Sequence, residues 1–208
     1  MLKKLVIIGA GGHCRSVLSA AQSMKLWQDF KIIDLNFTNQ NEKIIGYKVY
    51  PIEKVNEYIK RKLDFFIAIG DNNIRESTYR SMKEHGCSFV NIIHPNSHID
   101  KNSCLGKGNF VGQFSNIGAC ARLGNFNIVN NYGNVEHEVT LGDFNHLAPS
   151  STICGRSKLK DNIFVGSNAV IIEKLSIAKN TIIGAGSVVL KSVDQPNKKL
   201  VGVPARII

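Results

Sequence analysis

The sequence has no apolar run approaching the roughly 20 residues of a membrane span, no CxxC pair and few aromatic residues. The first absence excludes a spanning helix. The second leaves Cys14, Cys87, Cys104, Cys120 and Cys154 scattered, as free thiols of a cytosolic protein are, with no disulfide framework or zinc site implied. His94 and His98 stand four apart, but Pro95 between them argues against a metal-binding helix, and no metal is expected. Aromatics make up 8% of the 208 residues, and neither an RNA-binding aromatic motif nor a basic recognition helix is present. Sequence-specific nucleic-acid binding is therefore not expected. Acidic residues are outnumbered, 16 against 26 Lys and Arg, and the net charge of +10 attracts anions, leaving nucleic acid, acidic lipid and phosphorylated small molecules open. The opening "MLKKLVIIGAGGHC" has an apolar run of only "LVII" and no small-residue cleavage site, so it reads as a strand entering a turn and not as a secretory leader. A cytoplasmic location is expected.

What is present falls into two stretches with different periodicity. Residues 1–93 alternate strand-like and helix-like segments. "KLVIIGA" reads as a buried strand, "HCRSVLSAAQSMK" as a helix, "FKIID" as a strand and "NFTNQNEK" as a polar loop. "IEKVNEYIKRK" reads as a helix, "LDFFIAIG" as a strand, "NIRESTYRSMKEHG" as a helix closed by Gly86, and "SFVNII" as a last strand. This order predicts an α/β domain with a small parallel sheet, Rossmann-like in its sequence of elements.

Residues 94–208 follow a period of six. Every sixth position from Ile99 to Val189 is Ile, Leu or Val, sixteen in succession. Chance gives on the order of 10⁻⁵ for such a run. Two positions before each, the residue is usually small or Asn, as at Ser115, Asn127, Asn145 and Ser187. Neither a helix nor a flat strand has this period. It fits a chain that turns a corner every six residues, three sides closing a coil of 18, with stacked coils pairing as parallel strands. The pattern predicts a parallel β-helix of about five coils.

Within the β-helix, "NVEHEVTLGDFNH" places His137 between two glutamates and His146 nine residues on. Acyl transfer needs a base for the proton lost by the attacking group, and a carboxylate on the far nitrogen of a histidine fixes its tautomer. In an extended strand, however, Glu136 and Glu138 would point away from His137. A direct Glu138–His137 contact therefore requires a departure from strand geometry. The nine-residue spacing is half a coil, which puts the two histidines on opposite parts of one triangle. If both serve one reaction, the site takes residues from two chains. In the first domain, "GAGGHCR" joins a strand to a helix, where glycines let backbone approach a phosphate. Position 14 is Cys where the dinucleotide pattern has its third glycine, and the domain is short, so a nucleotide-sugar site is preferred to a nicotinamide site.

The segments "IIGAGGH", "FFIAIGDNNIR", "IIHPNSHI", "VEHEVTLGDFNHLAP", "IIGAGSVV" and "VGVPAR" resemble, over essentially the whole chain, the bacterial hexapeptide acyltransferases that join a small Rossmann-like domain to a left-handed β-helix. The UDP-4-amino-sugar N-acetyltransferases of the bacillosamine pathway are the nearest group, with the sialic acid O-acetyltransferases as relatives. The resemblance implies a homotrimer with intersubunit active sites and acetyl-CoA as cosubstrate. It implies His137 as general base, Glu138 as the residue that raises its basicity, and His146, Ser167 and Ala185 on acetyl-CoA. It also implies Gly11, Gly12, His13, Asp34 and Gly70 on the sugar nucleotide, and the tail "VGVPARII" near the adenine end of the cosubstrate. Asn130 and its neighbour Asn131 are candidates for positioning substrate, although asparagine ladders are also structural in β-helices. Lys191, Lys198, Lys199 and Arg206 either attract phosphates or keep the tail soluble. The expected activity is acetyl transfer to the amine of a UDP- or dTDP-activated 4-amino sugar. O-acetylation of a sialic acid and a non-catalytic β-helix scaffold are the alternatives.

Overall fold

The structure, a computed structural model, describes residues 3–39 and 41–208; Gln40, in the predicted polar loop, lies outside them. The chain divides into two compact units, the first running to Pro95 and the second from Asn96 to Ile208. No helix among the described residues is long and apolar enough to cross a membrane.

In the first unit, β1 (Lys4–Ile8), β2 (Asp29–Asp34) and β5 (Asp64–Ile67) form the centre of a six-stranded sheet, with α1 (Gly12–Met24) leading out of β1. β1 pairs in parallel with both β2 and β5, and its residues Leu5 to Ile8, which point alternately to the two faces, are all wholly buried. Both faces are thus covered there, which is why "LVII" is continuous and not alternating. α2 (Val55–Lys60) follows a 3-10 turn over Ile52–Lys54. α3 (Asn72–Lys83) starts on Asp71, whose Oδ1 accepts from the Ile74 amide at 2.9 Å. The predicted strand 88–93 is interrupted: β6 (Ser88–Phe89) pairs with β5, and β7 (Ile92–Ile93) is separate. One hairpin was not legible in the sequence, β3 (Lys43–Ile44) against β4 (Tyr47–Pro51). Its two-residue turn is Ile45-Gly46, both at positive φ. Such turns ordinarily announce themselves with Asn-Gly or Asp-Gly, and an isoleucine there hides the signal.

The second unit is the predicted coil. All sixteen ladder residues, Ile99 to Val189, are the second residue of a two-residue strand. Side one runs through 98–99, 116–117, 134–135, 152–153, 170–171 and 188–189, each pairing in parallel with the strand 18 residues away. Side two begins at 104–105 and side three at 110–111 with the same register. Corner residues lie in the left-handed region at the same spacing of six, among them Cys120, Tyr132, Glu138, Phe144, Ser150 and Arg156. From Asn109 onward the small or Asn residues two before the ladder are buried, and three of them make an internal column. The amides of Asn127, Asn145 and Ile163 each donate, at 2.8 Å, to the side-chain oxygen of Asn109, Asn127 and Asn145 respectively. Asn127→Ala removes the acceptor from a fully buried amide, which costs about 1–3 kcal/mol. A clear drop in the calorimetric unfolding temperature is expected; an unchanged temperature would show that the column carries no stability.

Candidate active site

His137 and Glu138 occupy the corner between sides one and two. Glu138 has φ 60°, so it has left the strand alternation that would have sent it away from its neighbour. The turn brings its Oε1 to 3.3 Å from His137 Nδ1. Glu136 is held elsewhere: Asn134 Nδ2 donates to its Oε1 at 2.8 Å, and Asn116 donates to Asn134 at 2.9 Å. The two glutamates of "EHE" thus have different partners, and only Glu138 meets the imidazole. With Nδ1 facing a carboxylate, the hydrogen-bond arrangement assigns the proton to Nδ1 and leaves Nε2 as the basic atom.

The next coil completes this corner, 18 residues further on. Arg156 Nε stands 3.1 and 3.2 Å from the two Glu138 carboxylate oxygens. The Arg156 hydrogen bond, and after it the one from His137, hold the Glu138 carboxyl below its ordinary carboxylate value. Gly155 lies against the His137 ring. A Cβ there would sit 2.5 Å from Cε1 and 2.6 Å from Nε2, so glycine makes the space that the imidazole fills. Neither residue stands out in a linear reading. Both emerge once positions 137 and 138 are carried forward by one 18-residue coil. Cys154, one coil after Glu136, also comes to this corner. Burial, then Glu136 and Glu173, push its thiol up, which makes it a poor nucleophile.

The other β-helix candidates lie elsewhere on the triangle. His146 is on side three, its ring edge-on to Phe164 one coil away, with centroids 5.2 Å apart. Ser167 and Ala185 stack at the corner that follows side three; the Gly186 amide donates to the Ser167 carbonyl at 2.8 Å. A Cβ at Gly186 would meet nothing within 4 Å, so this corner opens onto free space. Asn130 is at the same kind of corner, one side away from His137, and its Oδ1 accepts from the Asn131 amide at 2.8 Å. Asn131 in turn accepts from the Gln113 amide at 3.0 Å. Both are engaged in holding the corner. Lys191 and Arg206 line a cleft of about 340 Å³ near the end of the chain. Within one chain, then, the His137 corner and the His146–Ser167–Ala185 face are separated by a full side.

In the first unit, Gly11, Gly12, His13, Asp34 and Gly70 line one cavity of about 450 Å³. Gly9, at φ 103°, is required by close approach, since a Cβ would stand 2.8 Å from Ile69 and 3.0 Å from the Ala68 carbonyl. At Gly11 and Gly12 a Cβ would meet nothing, so these two leave room at the cavity and are not there for packing. Arg75 was not singled out in the sequence. It is 1% exposed on α3, and its Nη1 donates to the carbonyls of Ile69 and Gly70 at 2.9 and 3.1 Å, while Nη2 donates to Asn72 at 2.7 Å. Burial works against its charge and Asp71 favours it. Arg75 thereby fixes the backbone at one wall of the cavity. The available signal was its spacing with Thr78 and Met82, which places a cation on the buried face of a helix.

A glycine-lined cavity beside a parallel sheet and a β-helix with an exposed His–Glu corner make a two-part architecture. Residues 4–82 match the family described as the PglD N-terminal domain. The chain is similar to PerB from Caulobacter crescentus, solved in complex with CoA and GDP-perosamine, at 31% identity, covering 100% of this chain and 98% of that one with a TM-score of 0.92. It is 30% identical over 117 residues to GDP-perosamine N-acetyltransferase of Escherichia coli O157:H7, covering 53% of this chain and 52% of the relative. It is also 30% identical over 115 residues to UDP-N-acetylbacillosamine N-acetyltransferase of Bacillus subtilis strain 168, covering 53% and 51%. The matched region is thus about half the length of each curated relative. The chain belongs to the bacterial sugar acetyltransferases of the hexapeptide-repeat class, in which a PglD-type domain accompanies a left-handed β-helix.

Proposed function

We propose that this chain is an acetyl-CoA-dependent N-acetyltransferase acting on a nucleotide-activated 4-amino sugar in the bacterial cytoplasm. The observation that carries the reading is the His137–Glu138 contact made possible by the left-handed corner, with Nε2 left over for a substrate proton. The relatives named above, which act on GDP- and UDP-linked amino sugars, support the substrate class.

The residues present fit acetyl-CoA. Ser167 and Ala185 stack at a corner that opens onto free space, His146 leads into the same face, and Lys191 and Arg206 offer charge for phosphates in a cleft further along. When bound, the cosubstrate supplies the thioester carbonyl that is attacked. His137 takes the proton that the sugar amine loses as its nitrogen–carbon bond forms and the carbon–sulfur bond breaks, and the departing thiolate takes that proton up and leaves as CoA thiol. Glu138 steadies the imidazolium so formed. No acyl-enzyme is needed. The cavity lined by Gly11, Gly12, His13, Asp34 and Gly70 takes the nucleotide sugar, its glycines admitting phosphate and Asp34 accepting from hydroxyls. Because a full side separates His137 from the acetyl-CoA face, the working unit is an oligomer whose sites take residues from two chains; the resemblance to the hexapeptide acyltransferases makes that oligomer a trimer. Subunit exchange between His137→Ala and His146→Ala oligomers should restore activity to the mixed species.

The test is a panel of UDP-, dTDP- and GDP-linked 4-amino sugars and free sialic acid, each with acetyl-CoA, followed by thiol release. One nucleotide amino sugar should turn over at enzymatic rates. Thiol release with sialic acid alone, or with none of the panel, overturns the proposal.

A further inference from the structure

The corner that carries His137 and Glu138 includes a third charged group, on a different coil. Both Glu138 and Arg156 have corner conformations, φ 60° and 64°, one 18-residue coil apart, so the fold projects their side chains in parallel. The Arg156 amide also donates to the His137 carbonyl at 3.0 Å, which ties its backbone to the same residue whose ring the glutamate faces. The Glu138 side chain is 47% exposed, and its contact with Nδ1, at 3.3 Å, is long for a hydrogen bond. A flexible exposed carboxylate with only that contact would sample several rotamers. Arg156 Nε contacts both of its oxygens at shorter range.

We propose that Arg156 is a positioning residue for the catalytic pair: it seats the Glu138 carboxylate against His137 and offsets part of its charge. This rests on the reading of His137 as the base. The other titratable groups of this corner are Cys120 on the preceding coil, Glu136, Cys154, and Glu173 and Lys174 one coil beyond Arg156. Glu136 is already held by Asn134. Arg156 is therefore the cation hydrogen-bonded to the same carboxylate as the imidazole. It has two effects of opposite use. It orders the carboxylate, which favours productive geometry. It also offsets part of the carboxylate charge that faces the imidazole. As an exposed pair, the Arg156–Glu138 bridge contributes little to stability.

The experiment titrates the His137 Cε1–H signal of the full chain by NMR, assigned with H137A, in wild type, R156Q and R156K. It is paired with kcat measured on the nucleotide amino sugar accepted in the panel. With the guanidinium gone, the protonated ring faces an unopposed carboxylate, so the R156Q midpoint should lie above that of wild type. Its kcat at pH 7 should fall about 3- to 10-fold, and R156K, which keeps the charge, should recover much of both. Unfolding temperature should not move. An unshifted midpoint, or a shifted midpoint with wild-type kcat, overturns the proposal. The NMR comparison needs no turnover, so wild-type rates in H137A would sink the base assignment while leaving the electrostatic result readable.

Discussion

His137→Ala should lower kcat on the order of 10²- to 10⁴-fold, the range that a general base contributes, while its unfolding temperature and its affinity for CoA stay at wild-type values. The side chain is 54% exposed and sits at a corner between ladder residues, so little packing is lost with it. The effect belongs on kcat because the proton leaves the amine in the bond-forming step. A second variant separates the base from its partner. In Glu138→Gln the ring keeps a neighbour but loses the charge that stabilises the imidazolium, so activity should fall less than in His137→Ala. Glu138 is held ionised by Arg156 and His137, its carboxyl lying below its ordinary value. Its contribution is thus fully present above the usual carboxylate range and is lost as pH falls through its depressed pKa. Wild-type turnover in His137→Ala, measured by thiol release, would falsify the assignment.

Gly155→Ala should lower kcat by on the order of 10²-fold, the scale of a displacement of about 1 Å in a reacting group. The added methyl would overlap Cε1 and Nε2, so the imidazole has to leave its seat on the glycine. The backbone at this position is not in the left-handed region, and an alanine fits the main chain without strain. The protein should therefore fold and assemble normally. Only the ring moves, and with it the contact to Glu138. The distinguishing pattern is a large fall in kcat with a KM for acetyl-CoA near wild type, because the added methyl meets the His137 ring and none of His146, Ser167 and Ala185. Unimpaired kcat in Gly155→Ala would mean that the ring works from some other position, and the geometry described for this corner would then not be the productive one.

The β-helix was legible because its signal is redundant. Sixteen successive aliphatic residues at one spacing define the sides, the register and the interior together, and each became the second residue of a strand. The parallel sheet was legible from its buried runs. The β3–β4 hairpin escaped because Ile45 stands in a turn position usually held by Asn or Asp. At the site, His137 and Glu138 could be nominated from residue type and motif, but the contact between them could not be derived from strand alternation. It depends on Glu138 adopting a conformation that is uncommon for a residue with a side chain. Gly155, Arg156 and Cys154 were invisible to a local reading because their relation to the site runs across coils. Arg75 was hidden for the opposite reason: as a charged residue on a helix it looks solvent-facing, and only the sheet packed behind α3 makes it buried.

The regular corner also governs how this chain tolerates changes in length. An insertion of six residues would preserve the aliphatic ladder and fold as smoothly as before. It would nevertheless advance every later residue to the next side of the triangle. Placed between Glu138 and Arg156, it would separate Glu138 from Arg156 and His137 from Gly155 without disturbing the hydrophobic interior. An insertion of 18 would keep each residue on its own side but add a coil, about 4.8 Å along the axis, between the partners. Length variation of the β-helix is therefore quantised twice, in units of six for stability and of eighteen for face, and neither unit is silent at this corner.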